Sequence, residues 1–436
     1  MNIIVIVADS LRADHVGCYG SNVSTPNIDA LAADAALFGN AYSDNLPTMP
    51  IRTAWWTGKY HFTSRGWQPM ELTDNLLAEV LWNKGFTSAF VTDVYHMHSP
   101  PYNCGRGFDY VSFIRGQEYD PWIVDKTISV DVDNNHRLRG DDTDTEWRRR
   151  FEQYLRNISV RKSEEDYFAP RVIKEAIRWL DFITTKQKDN LFLWVDCFDP
   201  HEPWDPPEPF WKMYRPEGYN GRELIDPVPG DIAGYMTPAE VERTRALYAG
   251  EVSFVDKWVG VLLDRIRDLG LYDNSLIMFT SDHGEPFGEH GIIRKARPWS
   301  YEEQARIPWI IRHPQHAHGE RFDGFVQPPD LMPTALEAAA VSTDLEFTGA
   351  SLMPIISGEQ QSVREFAVSA WHGAQWAIRT QQWAYLMSIN KNHRRELFNR
   401  TTDRAEQNNV CEQHPDIADQ LELKLRRFAA GMRRTT

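Results

Sequence analysis

The sequence predicts an α/β fold: a mostly parallel sheet sandwiched by helices, followed by a small C-terminal subdomain built on an antiparallel sheet. Three observations carry this. Residues 2–8 are continuously aliphatic, as expected of a strand buried on both faces of a parallel sheet. Further apolar strands follow helical stretches, 89–91 after 76–84 and 276–279 after 252–268, with 191–195 as a fourth. After about Gly349 the pattern changes to short alternating segments at 366–371, 375–379, 383–387 and 396–398, which implies a small antiparallel sheet. An amphipathic helix over 415–428, with Ile417, Leu421, Leu423 and Leu425 facing inward, closes the chain. At 436 residues the chain exceeds what one hydrophobic core supports, so the domains are expected at 1–348 and 349–436.

Each predicted strand ends in polar residues: Asp9 after the first, Asp93 to His96 after the second, Asp199 and His201 after 191–195, and Asp282 with His283 after 276–279. Ligands of open α/β sheets bind beyond the carboxyl ends of strands, so these groups converge where the fold places a site. Between about 112 and 164 the chain turns charged, with Asp131, Asp133, Asp141, Asp142 and the run Arg148-Arg149-Arg150, and strand patterning is lost. It reads as an insertion, a solvated excursion in preference to a lid or subunit arm. The proline-rich stretch 200–229 predicts an extended, ordered loop without helix.

Composition removes several function classes. A formal charge of −15 argues against nucleic acid or an anionic membrane as partner, so an anionic substrate would have to be held by local cations. No apolar run approaches the roughly 20 residues of a membrane span. Met1-Asn2 leads directly into the first strand without a basic region, so that strand does not read as a signal peptide and a cytoplasmic location is expected. Cys18, Cys104, Cys197 and Cys411 lack paired or metal-type spacing and are expected to be small buried hydrophobes. The 16 tryptophans are assigned mainly to core and subunit packing, and with the insertion they make a homo-oligomer reasonable.

The most informative stretch is Thr48-Met49-Pro50-Ile51-Arg52, after Asn45-Leu46-Pro47 and before Thr57-Gly58. Together with Asp9, Gly17-Cys18-Tyr19-Gly20 and Thr25-Pro26-Asn27-Ile28-Asp29-Ala30-Leu31 in the same order, it resembles the nucleophile region of type I sulfatases, a branch of the alkaline phosphatase superfamily. The resemblance runs from Asn2 to about Val410 and implies a large mixed, mostly parallel sheet. Where that family carries a Cys or Ser oxidised to formylglycine, this chain carries Thr48. Thr280-Ser281-Asp282-His283-Gly284-Glu285 matches the family's metal-binding turn, and its Asp-His also resembles the phosphonate monoester hydrolase and phosphodiesterase relatives.

The resemblance implies that Asp9, Asp282 and His283 ligate one divalent metal ion, with Thr48 as remaining ligand and nucleophile. Ser10 replaces the family's second Asp, and His283 stands where many sulfatases carry Asn. Loss of a hard carboxylate and gain of an imidazole favour manganese or zinc, with calcium still compatible. Arg52 would lie one helical turn from Thr48 and steady the alkoxide or a nonbridging oxygen. His201, in Asp199-Pro200-His201-Glu202-Pro203-Trp204, and Lys295 match positions that bind ester oxygens and protonate the leaving group. His96 fits the family's Lys-x-His position, but its Lys is Val94 here. His290 is a candidate lining residue, and Arg115-Gly116-Gln117-Glu118 is family-like without assigned chemistry.

Thr48 has one hydroxyl, so a sulfated Thr48 could not expel sulfate by collapse to an aldehyde, as a formylglycine hydrate does. The expected activity is therefore metal-dependent hydrolysis of small phosphate or phosphonate esters, mono- or diester. The alternatives are a sulfatase using unmodified Thr48, a phosphotransferase and a non-catalytic binding protein.

Overall fold

The computed structural model describes residues 1–140, 144–316, 318–390 and 394–432, so Asp141 and Asp142 of the expected insertion lie outside the described residues. Its strands are β1 (Asn2–Ala8), β2 (Ala36–Ala41), β3 (Thr87–Thr92), β4 (Tyr110–Phe113), β5 (Leu191–Cys197), β6 (Gly230–Asp231), β7 (Ser275–Thr280), β8 (Ile292–Ile293), β9 (Trp309–Arg312) and β10 (Glu320–Val326). Eight of these form one sheet in the order β10-β2-β9-β7-β1-β5-β3-β4. Neighbours run parallel except where β9 meets β2 and β7, so the sheet is mixed and mostly parallel.

The aliphatic run of β1 is explained by its central place between β7 and β5. Successive side chains point to opposite faces of a strand. Ile4, Ile6 and Ala8 accordingly join the core under the helices Phe168–Ile183 and Pro238–Asp268. Ile3, Val5 and Val7 join the core under Thr48–Thr57, Leu77–Asn83 and Leu331–Ala338. The sheet is thus covered on both faces. The long helix starts at Pro238, capped by Thr237, well before the expected residue 252. Inside it, Asp256 accepts from the backbone N–H groups of Asn27 and Ile28, which anchors the start of the helix Pro26–Ala32.

The second sheet is antiparallel, β11 (Ala367–Trp371), β12 (Gln375–Arg379), β13 (Trp383–Ser388) and β14 (Arg395–Asn399), as the alternating segments predict. It packs Val368, Ile378 and Leu397 on Leu421 and Leu425 of the helix Pro415–Met432. Leu423 departs from expectation: it is 50% exposed, on the helix face turned from the sheet. This subdomain also braces the segment leading to Thr48, since Leu46 N–H donates to Ala370 O at 2.7 Å and Ser369 Oγ to Ser43 O at 2.7 Å.

Three further expectations need correction. The 200–229 loop holds one helical turn, Phe210–Met213, started by the prolines just before it. The 112–164 stretch is more than a solvated excursion. It contains the helix Asp144–Ile158, whose Phe151, Tyr154 and Asn157 are buried, and Asn157 ties that helix to Gly116 O and Asp120 O. Of the cysteines, Cys104 and Cys197 are buried, whereas Cys18 and Cys411 are half-exposed; all four are free thiols.

Candidate active site

The site is built at the carboxyl ends of β1, β5 and β7, where the chain leaves the sheet. Asp9 follows β1, and Asp282 and His283 follow β7; all three are 0% exposed. One ligand atom from each can be chosen so that the three lie within 4.8 Å of one another. Ser10 knits them together. Its N–H donates to Asp282 Oδ1 at 3.0 Å, its hydroxyl donates to Asp9 Oδ1 at 3.1 Å, and its Oγ lies 3.3 Å from His283 Nδ1. The turn after β7 admits only glycine at 284, where a Cβ would stand 2.1 Å from Glu303 O.

His283 Nδ1 lies 3.0 Å from Gly284 O. A carbonyl only accepts, so Nδ1 carries the proton and the Nε2 lone pair faces the carboxylates, 3.6 Å from Asp282 and 3.9 Å from Asp9. Burial pushes this imidazole down to about 4, so it is neutral and competent as a ligand. Burial works against Asp282 too, but Arg52 and the Ser10 N–H hold it below the usual carboxylate range. Asp9 is raised by burial and by Asp282 beside it, the condition of a carboxylate short of positive charge. Two buried carboxylates and a neutral imidazole this close fit a divalent cation, which would supply that charge.

Thr48 is the first residue of the helix Thr48–Thr57, 4% exposed, with φ at 22°. Its hydroxyl makes no capping bond, and Pro47 occupies the cap position. Thr48 Oγ1 instead stands 3.4 Å from His283 Nε2, at the positive end of the helix dipole. One turn on, Arg52 is fully buried, and its contacts differ from the expected ones. It pairs with Asp196 at 2.7 Å, Asp282 at 2.7 Å and Asp9 at 3.1 Å, and reaches the Thr48 carbonyl at 3.2 Å, not the hydroxyl. Arg52 thus holds the carboxylates and the backbone at Thr48.

A second layer flanks this group. His201 is 6% exposed, its ring centroid 6.5 Å from that of His283. His201 Nδ1 faces Glu202 O at 3.0 Å and Glu202 Oε2 at 3.2 Å, and burial pushes the imidazole down to about 3. Lys295 lies between Glu202, at 3.4 Å, and Glu285. Burial pushes the Glu285 carboxyl up to about 8 even with Lys295 against it. His96 is placed apart from the metal-type group. Its Nε2 lies 2.9 Å from Glu118 Oε2, and its ring packs edge-on against Trp67 at 5.0 Å between centroids. His290 does not serve the site: it stacks on Tyr301 and contacts Glu303 and Glu406 O.

Sequence reasoning missed Asp196, Glu202, Glu285 and Glu118. Asp196 carried a usable signal, since an acid inside the buried strand β5 must be paired with a cation. The other three lie within motifs the sequence offers, Glu202 after His201, Glu285 in the turn after Asp282 and Glu118 at the end of Arg115-Gly116-Gln117-Glu118, but which cation each faces is set by loops meeting in space.

Known proteins are similar to this chain in sequence and in fold. The chain is 26% identical to an arylsulfatase of Clostridium perfringens over 420 residues, covering 84% of this chain and 80% of the relative. It is 27% identical to iduronate 2-sulfatase of Mus musculus over 396 residues, covering 82% of this chain and 68% of the relative. Among solved structures, the phosphonate monoester hydrolase of Agrobacterium radiobacter superposes with a TM-score of 0.77 at 21% identity, covering 99% of this chain and 96% of that one. That of Silicibacter pomeroyi gives 0.76 at 21% identity, covering 100% and 94%. The C-terminal family of N-sulphoglucosamine sulphohydrolase matches residues 288–431. The sulfatase family matches residues 1–341, which take in Asp9, Thr48, Arg52, Asp282, His283 and Lys295, and the chain belongs to that family.

Proposed function

We propose that this protein is a metal-dependent hydrolase of small phosphate or phosphonate esters with Thr48 as nucleophile. The observation that carries the reading is the Thr48 hydroxyl, single and 3.4 Å from His283 Nε2 beside two buried carboxylates. Asp9, Asp282 and His283, with Thr48, would hold one divalent ion. Two carboxylates with an imidazole favour manganese or zinc over calcium. When bound, the ion supplies Lewis acidity, which acidifies the Thr48 hydroxyl and offsets charge on the ester oxygens.

The protein's own groups divide the remaining work. Thr48 Oγ1 displaces the leaving alcohol at phosphorus, and water then hydrolyses the Thr48 ester by attack at phosphorus, a route that needs no second hydroxyl. His201, neutral and with Nδ1–H directed at Glu202 O, offers a lone pair at Nε2 and so accepts a proton more readily than it donates one. Lys295, whose proton is held by Glu202 and Glu285 against the effect of burial, supplies positive charge for the departing oxygen. Arg52 keeps Asp9, Asp196 and Asp282 in register.

A second reading, a sulfatase using unmodified Thr48, is favoured by the names of the sequence relatives. The deciding experiment is side-by-side turnover of an aryl sulfate, an aryl phosphate, a phosphate diester and a phosphonate monoester by metal-reconstituted enzyme, with Thr48→Ala as control. Thr48-dependent preference for a phosphorus ester supports the proposal. Preference for the sulfate ester replaces it with the second reading. Among the described residues no helix is long and apolar enough to cross a membrane.

A further inference from the structure

The eight-stranded sheet ends in two edges, β10 and β4, and the chain treats them differently. An open edge presents unpaired backbone groups, and natural proteins guard such edges with charges and bulges. β10 is guarded: Glu320, Arg321 and Asp323 are exposed along it, and its register with β2 slips between Phe322 and Phe325. β4 has neither device. Tyr110-Val111-Ser112-Phe113 is uncharged and pairs with β3 in unbroken register, with Val111 42% exposed.

Ile114 N–H donates to Thr92 O, so by alternation Ser112 also turns its backbone to β3, while Val111 and Phe113 turn theirs outward. Among the described residues nothing meets those outward N–H and C=O groups. The strand is flanked by opposite charges, Asp109 and Arg115, both exposed. Arg115 holds Asp120 through Nε and Nη2, which leaves Nη1 free among the described residues, and its guanidinium lies over the Phe113 ring. Trp82, 57% exposed, bonds Asp109 through Nε1 at 3.1 Å and stands beside the strand.

We propose that β4 is a subunit interface, where β4 of a second copy of this chain pairs with it antiparallel about a two-fold axis at Ser112. In that register Val111 exchanges backbone bonds with Phe113 of the partner subunit, and Phe113 with Val111 of the partner subunit, which satisfies the outward groups of both edges. Asp109 then faces Arg115 of the partner subunit, and by symmetry the same pair forms at the other end. The outward backbone also permits axes at Val111 or Phe113, but either one shifts Asp109 away from the arginine. Charge and hydrogen bonding thus select one register, and the sheet continues from one copy into the other.

The test is sedimentation velocity over a range of protein concentrations, on the full chain, on Val111→Lys and on Ser112→Cys after mild oxidation. The wild type should sediment as a dimer. Val111→Lys places a charge in the joint and should shift it to monomer, with the circular dichroism spectrum unchanged. A central pair of this kind holds its Cα atoms about 4.5 Å apart, within the roughly 4.4–6.8 Å that a disulfide spans. Ser112→Cys should therefore give a covalent dimer on a non-reducing gel, whereas the wild type, whose four cysteines are free thiols, should not. If Val111→Lys fails to fold, the cross-link decides. A wild type that stays monomeric at every concentration overturns the proposal, and so does a dimer that Ser112→Cys leaves without a cross-link, since its interface then lies on another face.

Discussion

Replacing Asp196 with Asn should destabilise the protein and weaken its hold on a divalent ion together. Asp196 accepts two bonds from Arg52, 2.9 Å from Nε and 2.7 Å from Nη2, with both side chains 0% exposed. The same guanidinium reaches Asp282 and Asp9, the carboxylates that would hold the ion. Asp196 therefore anchors a cation that otherwise competes with the metal. In Asp196→Asn one acceptor becomes an amide N–H facing a guanidinium N–H, and Arg52 leans on Asp9 and Asp282. Breaking a buried ion pair from one side costs about 3–5 kcal/mol. Burial raises the Asp196 carboxyl, so Asn escapes a desolvation penalty, and two carboxylates still neutralise Arg52. A net loss of about 2 kcal/mol remains, which for a chain of this size lowers Tm by about 2 °C. Loss of an outer residue that orients ligands lowers metal affinity by about tenfold or more. Calorimetric melting in chelator and a manganese titration measure the two effects. Wild-type Tm with wild-type metal affinity would refute the anchoring argument.

The remaining predictions concern the nucleophile, the turn and pH. Thr48→Ala should abolish turnover while retaining metal through Asp9, Asp282 and His283, whereas Asp282→Asn should lose both; metal content and activity measured on the same samples separate the cases, and full activity in Thr48→Ala would sink the nucleophile assignment. Gly284→Ala forces a Cβ to within 2.1 Å of Glu303 O and should displace His283, read as loss of metal binding in protein that still folds. His61, 2% exposed, faces Thr57 Oγ1 at 2.9 Å, and the Thr57 hydroxyl donates to Thr53 O, so His61 carries its proton on Nε2 and its Nδ1 is bare. Burial, and then Arg65, pushes this imidazole down to about 4. The unfolded chain thus binds the extra proton first: the stability is present above about pH 6.5 and is lost as pH falls towards 4, by about 3 kcal/mol. His61→Gln should flatten that part of the stability profile, and an unchanged acid limb would count against it.

What the sequence reveals follows from how local the cause is. The strands β1, β3, β5 and β7 are read directly because each is buried on both faces and so carries a continuous apolar stretch. The strands β2, β9 and β10 escape because their pattern is set by neighbours: β9 is four residues long and antiparallel, and β10 begins with the exposed pair Glu320 and Arg321 at the sheet edge. The same division governs the site. Asp9, Asp282 and His283 follow strands, so their convergence is fixed by strand order. Glu118 reaches His96 only because Asn157, on a helix forty residues away in the chain, holds the Gly116 and Asp120 carbonyls in place.

Arg52 shows why residue identity and residue role come apart. Its spacing from Thr48 puts it one helical turn on, and the structure keeps that spacing, yet the guanidinium faces three carboxylates supplied by β1, β5 and β7. An arginine at 0% exposure must find acceptors, and the acid inside β5 is the acceptor that periodicity alone does not supply. Once Asp196 has taken Nε and one N–H of Nη2, the other Nη2 N–H points to Asp9 and Nη1 to Asp282 along the sheet ends. Ser10 completes the arrangement: a second aspartate there would add a carboxylate to a group in which Asp9 is already raised by its neighbour, whereas the serine hydroxyl donates to Asp9 and its N–H to Asp282. Ser10, one of the departures from the family pattern, is therefore the one that lets three buried acids and one arginine share so small a volume.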